Sequence, residues 1–378
     1  MRIAKLPALV VSSLAALAAC SPDAPSLATG SDALRAAAAD SLAGGNKRVA
    51  VMSRNLYLGA DLPALAAATS LPDFLFRASR AWAMVQKNDF RLRAQAIADE
   101  IAEARPALVG LQEVYTWRLG PTGQLEVKYD YLSILLDELA ARGLSYRAVA
   151  SVQLIETPSI PLIDLQTFQP VGLDVQATDH DVILASDLVA ETRTVAEKVY
   201  TAKIPFQTPL GEIPVPRGFT AVDAKIRGEW IRFVNTHLEA VDVPPPLPPG
   251  LFRTLQAQEL AAFLGDDPRP TILVGDLNSV PGADGQAVLA AAGFRDLWAA
   301  LRPGEDGFTD GFPEDLSEDG VLTQRIDYLL TRGLLAPVSV DVVGGTAADK
   351  AIVGLWPSDH AGVVGTLRIL DARFASAP

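Results

Sequence analysis

The chain has 378 residues, 49% of them hydrophobic, and sets 45 acidic against 32 basic side chains for a formal net charge of −13. That balance argues against broad electrostatic attraction to a nucleic-acid backbone and leaves room only for a local basic groove or a metal-mediated contact. A single cysteine excludes any internal disulfide.

At the N-terminus, Arg2 and Lys5 precede an apolar stretch, Leu6 to Ala19, that ends in small residues. Residues 1–19 read as a signal peptide, too short and wrongly flanked for a permanent membrane span. Leu17-Ala18-Ala19-Cys20 resembles the lipobox of bacterial lipoproteins. That resemblance implies cleavage before Cys20, lipidation of its sulfur, and an exported protein anchored in the cell envelope, on the outer membrane or the cell surface. Residues 20–46 are rich in Ala, Ser, Gly and Asp with no lasting apolar period, and read as a lipidated flexible tether. No linker interrupts residues 47–370, which are expected to form one domain, followed by a short C-terminal tail, 371–378.

Along that domain, β-rich runs are predicted at 47–55, 107–114, 146–151, 181–186, 229–238, 270–278 and 324–331. A helix is predicted from a cap at Asn88 or Asp89 through 90–104, with Phe90, Ala94, Ile97 and Ile101 on one face and Pro106 ending it. Further helices are predicted at 129–142, 251–264 and 284–292. Strands mixed with helices over this length suggest sheets covered by helices on the outside. Three apolar but proline-studded segments, 154–176, 201–219 and 242–252, are predicted as loops, because proline suits neither a central strand nor a regular helix.

Polar residues recur where the apolar runs end: Asn55, Glu113, His237, Asp276 with Asn278, Asp327, and Asp359-His360. Each alone has an ordinary structural explanation, as a turn residue, a solvated acid or an ion pair. The set is different, since two of only three histidines fall in it. If the strand ends converge, Glu113, Asp276, Asp327 and Asp359 share one pocket. There, like charges require either raised pKa values or a cation. Carboxylate and amide oxygens with no thiolate suit a hard ion, Mg²⁺ with Mn²⁺ as a substitute, better than zinc. A metal, a carboxylate and two imidazoles together suit hydrolysis of a phosphate ester.

The ordered series Asn55, Gln112-Glu113, Thr236-His237-Leu238, Gly275-Asp276-x-Asn278, Arg325-Ile326-Asp327-Tyr328 and Ser358-Asp359-His360 resembles the endonuclease/exonuclease/phosphatase superfamily, the DNase I-like group, over roughly residues 48–368. The resemblance implies an α/β (α+β) fold, a four-layer sandwich of two mixed β-sheets packed face to face with helices on the outer faces. It implies Glu113 as principal Mg²⁺ ligand, Asn55 supporting that site, and Asp276 orienting or deprotonating the water. Asn278 would donate to the phosphate. His237, paired with Asp327, and His360 would clamp the phosphoryl oxygens, one of them protonating the leaving group. Asp359 would hold the local geometry or approach the metal. Asp179 or Asp181 would orient the last histidine. His180 stays outside the catalytic set, and Arg325 and Tyr328 read as ion-pairing and packing.

A histidine at 237 resembles the DNase I and sphingomyelinase branches. The expected activity is Mg²⁺-dependent hydrolysis of phosphate esters by a monomer, phosphodiesters preferred. A lipid or small phosphodiester is slightly favoured by the acidic charge, the anchor and the apolar loops. A secreted DNase I-like endonuclease is the alternative. A non-catalytic, surface-anchored binding protein on the same fold is a third reading, against which stands the unbroken polar series.

Overall fold

The structure, a computed structural model, describes residues 47–242 and 246–370. The expected signal peptide, Cys20 with its tether, and the tail 371–378 lie outside these residues. In chain order the strands are β1 (Arg48–Asn55), β2 (Leu108–Gln112), β3 (Thr116–Gly120), β4 (Glu126–Asp130), β5 (Tyr146–Glu156), β6 (Ile160–Ile163), β7 (Pro170–Ser186) and β8 (Val189–Val199). They continue as β9 (Ile204–Thr208), β10 (Gly211–Val215), β11 (Gly218–Ile226), β12 (Glu229–His237), β13 (Thr271–Asp276), β14 (Arg295–Asp296), β15 (Asp327–Arg332), β16 (Leu335–Val343) and β17 (Gly362–Ile369).

A nine-stranded sheet runs β16-β17-β1-β2-β7-β3-β4, with β5 and β6 along the opposite edge of β7. A six-stranded sheet runs β14-β15-β13-β12-β11-β8, and β9 with β10 forms a separate hairpin. Both large sheets are mixed. β1 is parallel to β2 and β12 is parallel to β13, while their other neighbours are antiparallel.

Side chains alternate across each strand, so every central strand contributes to two layers. Val51, Leu108 and Ile183 from the larger sheet meet Val222, Phe233, Ile272 and Leu329 from the smaller one in an apolar layer between the sheets. Their neighbours face outward. Met52, Val109 and Leu184 pack under the helices Leu71–Lys87, Phe90–Ala104 and Tyr131–Ala141. Val234, Leu273 and Leu330 pack under Leu251–Leu264 and Asp284–Ala291. The result is helix, sheet, sheet, helix, the expected four-layer sandwich.

Two local devices set the spacing of the sheets. At Gly110 on β2, a Cβ would lie 2.4 Å from Val274 Cγ2 and 2.7 Å from Asn235 Oδ1, so glycine is required for the close approach. Asn235 on β12 then bolts the sheets together. Its Nδ2 donates to the carbonyls of Leu111 at 2.8 Å and Val182 at 3.2 Å, and its Oδ1 accepts from Gln112 Nε2 at 2.6 Å.

The helix at 90–104 has Asp89 as its cap, with the side chain accepting from Arg91 N at 3.1 Å, and ends at Arg105 in the left-handed region. The proline-rich segments differ from expectation. Residues 154–176 contain the end of β5, all of β6 and the start of β7, and 201–219 contain β9, β10 and the start of β11. Proline is tolerated there because these are edges. Pro161 sits in β6, which pairs only with β7, Pro170 opens β7, and Pro205 and Pro214 stand opposite one another in the isolated hairpin. The helix Leu71–Lys87, capped by Ser70 through Asp73 N, was not anticipated.

Candidate active site

The functional side chains arise from the same alternation that builds the core. Followed toward one end of the sandwich, the inward-facing positions change from aliphatic to polar on strand after strand. Val51 gives way to Ser53 and Asn55, Ile183 to Asp181 and Asp179, Phe233 to Asn235 and His237, and Val274 to Asp276. In β15, Leu329 is preceded by Asp327. The register places His237 beside Asp276 and Asp276 beside Asp327, so three polar ends stand side by side.

Asp276, 1% exposed, is at the centre. Its Oδ2 accepts from Asn55 Nδ2 at 3.1 Å, and lies 3.5 Å from His237 Nε2 and 3.8 Å from His360 Nε2. Its Oδ1 accepts the backbone N–H of Asn278 at 2.9 Å. The strand has ended by then. Asn278 has φ +46°, so it shares the site with Asp276 through a tight turn rather than through strand periodicity. Glu113 accepts from Leu58 N at 2.8 Å and from Asn55 Nδ2 at 3.3 Å. Glu113 and Tyr57 both have φ near +57°, a conformation non-glycine residues adopt at some cost, concentrated here at one site.

The two histidines hold opposite charge states. His360 Nδ1 is 2.8 Å from Asp327 Oδ2, and its Nε2 is 3.6 Å from Asp310 Oδ1. Burial works against the charge, but Asp327, Asp359 and Asp276 overcome it and hold the imidazole pKa well above the usual histidine value. His360 is therefore an imidazolium. His237 goes the other way, pushed down by burial, by Arg217 and by His360, and is neutral. Arg217 Nη1 approaches His237 Nδ1 at 3.2 Å. A guanidinium can only donate, so Nδ1 accepts and Nε2 carries the hydrogen. Asn278 Nδ2 faces that same Nε2 at 3.1 Å while donating to the carbonyl of Leu238 at 3.0 Å, which fixes the orientation of the amide. With Nε2 carrying the hydrogen, Asp276 Oδ2 at 3.5 Å is its nearby acceptor, and Asn278 Nδ2 keeps a second hydrogen beyond the one given to Leu238.

These contacts correct two expectations. Asp327 pairs with His360 and not with His237, because β15 begins beside Asp276 and His360 reaches it from the opposite sheet. Neither Asp179 nor Asp181 orients the last histidine. Both are buried on β7 with raised pKa values, caused first by burial and then by Glu113 for Asp179 and by Asp179 for Asp181. Arg325 pairs with Asp296 at 2.6 Å, and Tyr328 donates to the carbonyl of Ser279, as expected of supporting residues.

A cavity of about 380 Å³ opens onto Glu113, His237, Asp276, Asn278, Asp359 and His360, with Asn55 and Asp327 one hydrogen bond behind them. Arg217 lines the same cavity, although it stands in a segment read as a loop. Only the pairing of Gly218 with His237 brings it to the site. Asp310 was missed as well. It touches His360 through an isolated bridge outside any strand.

The same cavity is also lined by apolar side chains: Leu62, Leu65, Phe74, Ile160, Phe206 and Ile213. As for a metal, the carboxylate oxygens of Glu113 and Asp359 suit a hard divalent ion, whereas Asn55 turns its NH2 to Glu113 and Asp276 and its Oδ1 accepts Tyr57 N–H at 2.9 Å, so it supports the site without offering it an oxygen. Among the described residues, Asp276, Asp327 and His360 also bring ligand atoms within 4.8 Å of one another, but the short His360–Asp327 contact gives that trio the character of an ion pair.

Burial and mutual repulsion raise the Asp276 carboxyl to about 8 and the Asp359 carboxyl to about 7. Between an unfolded value of 3.8 and these values, the fold retains protons that the unfolded chain releases. His360, raised above 6.5, has the same sign. Metal-free protein is therefore expected to lose stability as pH rises from about 4 to about 8. Calorimetric melting in EDTA at several pH values should show it, with a flatter dependence in Asp276→Asn. An unchanged or rising melting temperature over that window would contradict the charge assignment.

The model of the Endonuclease/Exonuclease/phosphatase family matches residues 83–360. Among solved structures, an endonuclease/exonuclease/phosphatase family protein from Bacteroides thetaiotaomicron is 16% identical, with 86% of this chain and 99% of that one covered at a TM-score of 0.50. A Beutenbergia cavernae endonuclease/exonuclease/phosphatase is 20% identical, with 86% and 72% covered and a TM-score of 0.46. A mannosyl-6-phosphatase from Bacteroides thetaiotaomicron is 16% identical, with 84% and 99% covered and a TM-score of 0.47. These are likenesses of fold. A search of curated proteins returns no match.

Proposed function

The chain belongs to the endonuclease/exonuclease/phosphatase family, whose members are metal-dependent hydrolases of phosphoester bonds, and from that premise we propose that it is a Mg²⁺-dependent phosphodiesterase for substrates with an apolar group. The observation that carries this reading is the continuity of one cavity from the charged cluster to the apolar wall of Leu62, Leu65, Phe74, Phe206 and Ile213. An amphiphilic phosphodiester would place its apolar group against such a wall while its phosphate meets the charged cluster.

Glu113 and Asp359 would hold the Mg²⁺, with Asn55 steadying Glu113 through its NH2, and the ion when bound would draw charge from a non-bridging phosphoryl oxygen. Asp276 aligns a water and takes its proton. The N–H groups of His237 and Asn278 would be available to donate to a phosphoryl oxygen, and Arg217 keeps His237 in the tautomer that can donate. His360, held as an imidazolium by Asp327, gives its Nε2 proton to the leaving oxygen. The expected lipid anchor at Cys20 would hold such a site beside a lipid surface.

The test is turnover, with Mg²⁺ and with EDTA, of an aryl phosphodiester, sphingomyelin vesicles, inositol phosphates and plasmid DNA. Metal-dependent hydrolysis of the lipid, with little of DNA, is expected. In Phe206→Ser and Ile213→Ser, kcat/KM for the lipid should fall roughly tenfold or more, through loss of apolar contact, while the aryl ester is unaffected. Preferential nicking of DNA would install the endonuclease reading, and no turnover of any ester the binding-protein reading.

A further inference from the structure

Behind the catalytic layer, one inward position deeper on each strand, lies a second polar row: Gln112 on β2, Asp181 on β7, Thr220 on β11 and Asn235 on β12. All four are 0% exposed. They surround one place between the sheets. Thr220 is the register partner of Asn235, Gln112 Nε2 donates to Asn235, and Asn235 donates to the carbonyl of Val182, the residue after Asp181. Asn235 is satisfied by these bonds. Its neighbours are not: among the described residues, Gln112 Oε1, both carboxylate oxygens of Asp181 and Thr220 Oγ1 have no hydrogen-bond partner. Asp179 Oδ1, next along the same face of β7, has none either.

An ionised carboxylate buried without hydrogen bonds or counter-charge is severely unfavourable. Arg217 supplies one positive charge, shared among Asp179, Asp181, Glu239 and Glu113. That leaves at least one carboxylate of the β7 pair without counter-charge, so the metal-free chain keeps it protonated, as its raised pKa implies, and an ion would take the proton's place. Within the row the unpartnered atoms are oxygens from three strands in two sheets, the Nε of the neighbouring Arg217 is unpartnered as well, and Asp179 also lines the cavity, which supplies a way in.

We propose that this buried row is a second cation site, in which Asp181, Thr220 Oγ1, Gln112 Oε1 and Asp179 hold a hard, oxygen-ligated divalent ion separate from the one at Glu113. The ion neutralises the β7 carboxylates and ties the two sheets together beside the Asn235 bolt. It lies behind the reacting groups and takes no part in bond breaking.

Mn²⁺ serves as the probe, with free ion counted by its EPR signal during titration of the full chain. Two ions per chain are expected for the wild type, one for Asp181→Asn, one for Glu113→Gln, and none for the double variant. Thr220→Val, which removes a neutral ligand without adding charge, should weaken the second ion about tenfold or more, and decides the matter if Asp181→Asn does not fold. In the Glu113→Gln background Mn²⁺ should still raise the melting temperature, and Asp181→Asn or Thr220→Val should abolish or reduce that rise. A single wild-type ion that disappears in Glu113→Gln and survives Asp181→Asn would overturn the second site while leaving the proposed phosphodiesterase intact. A wild type that binds no Mn²⁺ would overturn both.

Discussion

Asp276→Asn is expected to lower kcat by roughly 10²–10⁴-fold, the usual contribution of a positioned general base, while leaving the chain at least as stable as before. Both halves follow from the place of Asp276. Its Oδ2 stands at the meeting point of Asn55, His237 and His360, and an amide there neither takes a proton from water nor attracts the imidazolium. The same substitution removes a buried negative charge whose pKa is raised by burial and by the neighbouring Asp327. Removal relieves repulsion in the metal-free chain, so its melting temperature should hold or rise. Steady-state kinetics on an aryl phosphodiester together with calorimetry reads both effects. A variant that keeps near wild-type turnover would remove Asp276 from the chemistry. One that fails only because it unfolds would show the carboxylate to be a structural element.

The second large effect concerns the pair that crosses the two sheets. Asp327→Asn keeps a group that accepts from His360 Nδ1 but loses the charge that holds the ring cationic. With His360 proposed to donate its proton to the leaving oxygen, kcat should fall by roughly 10²-fold or more. The pH profile adds the sign. A general acid must be protonated, so the rate declines as pH rises through the His360 pKa. Without Asp327 that pKa drops, and the falling limb of the profile should move to lower pH. His360→Ala should abolish the limb, and adding Asp327→Asn to it should cost little more, because the two residues act as one unit. A falling limb left in place by Asp327→Asn would assign the acid to another group.

How much of this was legible in the sequence depended on the range of the interactions. The helix at 90–104 was readable because Asp89, the apolar face and Pro106 are local signals. The strands carrying Asn55, Glu113, His237 and Asp276 were readable because each is an apolar run with a polar end. Edge strands were not. In β6, β9 and β10 the prolines that argued for loops are compatible with pairing on one side only, and nothing local reveals which side is free. Pairing between side chains was the other failure. The partnership of Asp327 with His360, and the arrival of Arg217 beside His237, depend on sheet register and on the separation of the sheets. The Asp276–Asn278 proximity rests on a tight turn after the strand end, which no strand pattern specifies.

The gradient along the inner faces bears on how the molecule comes into being. Asn55, Glu113 and His360 belong to or adjoin the nine-stranded sheet, and His237, Asp276 and Asp327 the six-stranded one. Neither half holds a working set, so competence arrives only when the halves close. Aliphatic contacts at one end of the sandwich draw them together, and the repelling acids at the other end are brought within reach as a by-product of that closure. Folding supplies the work of gathering like charges, and the finished enzyme holds it ready before any substrate arrives.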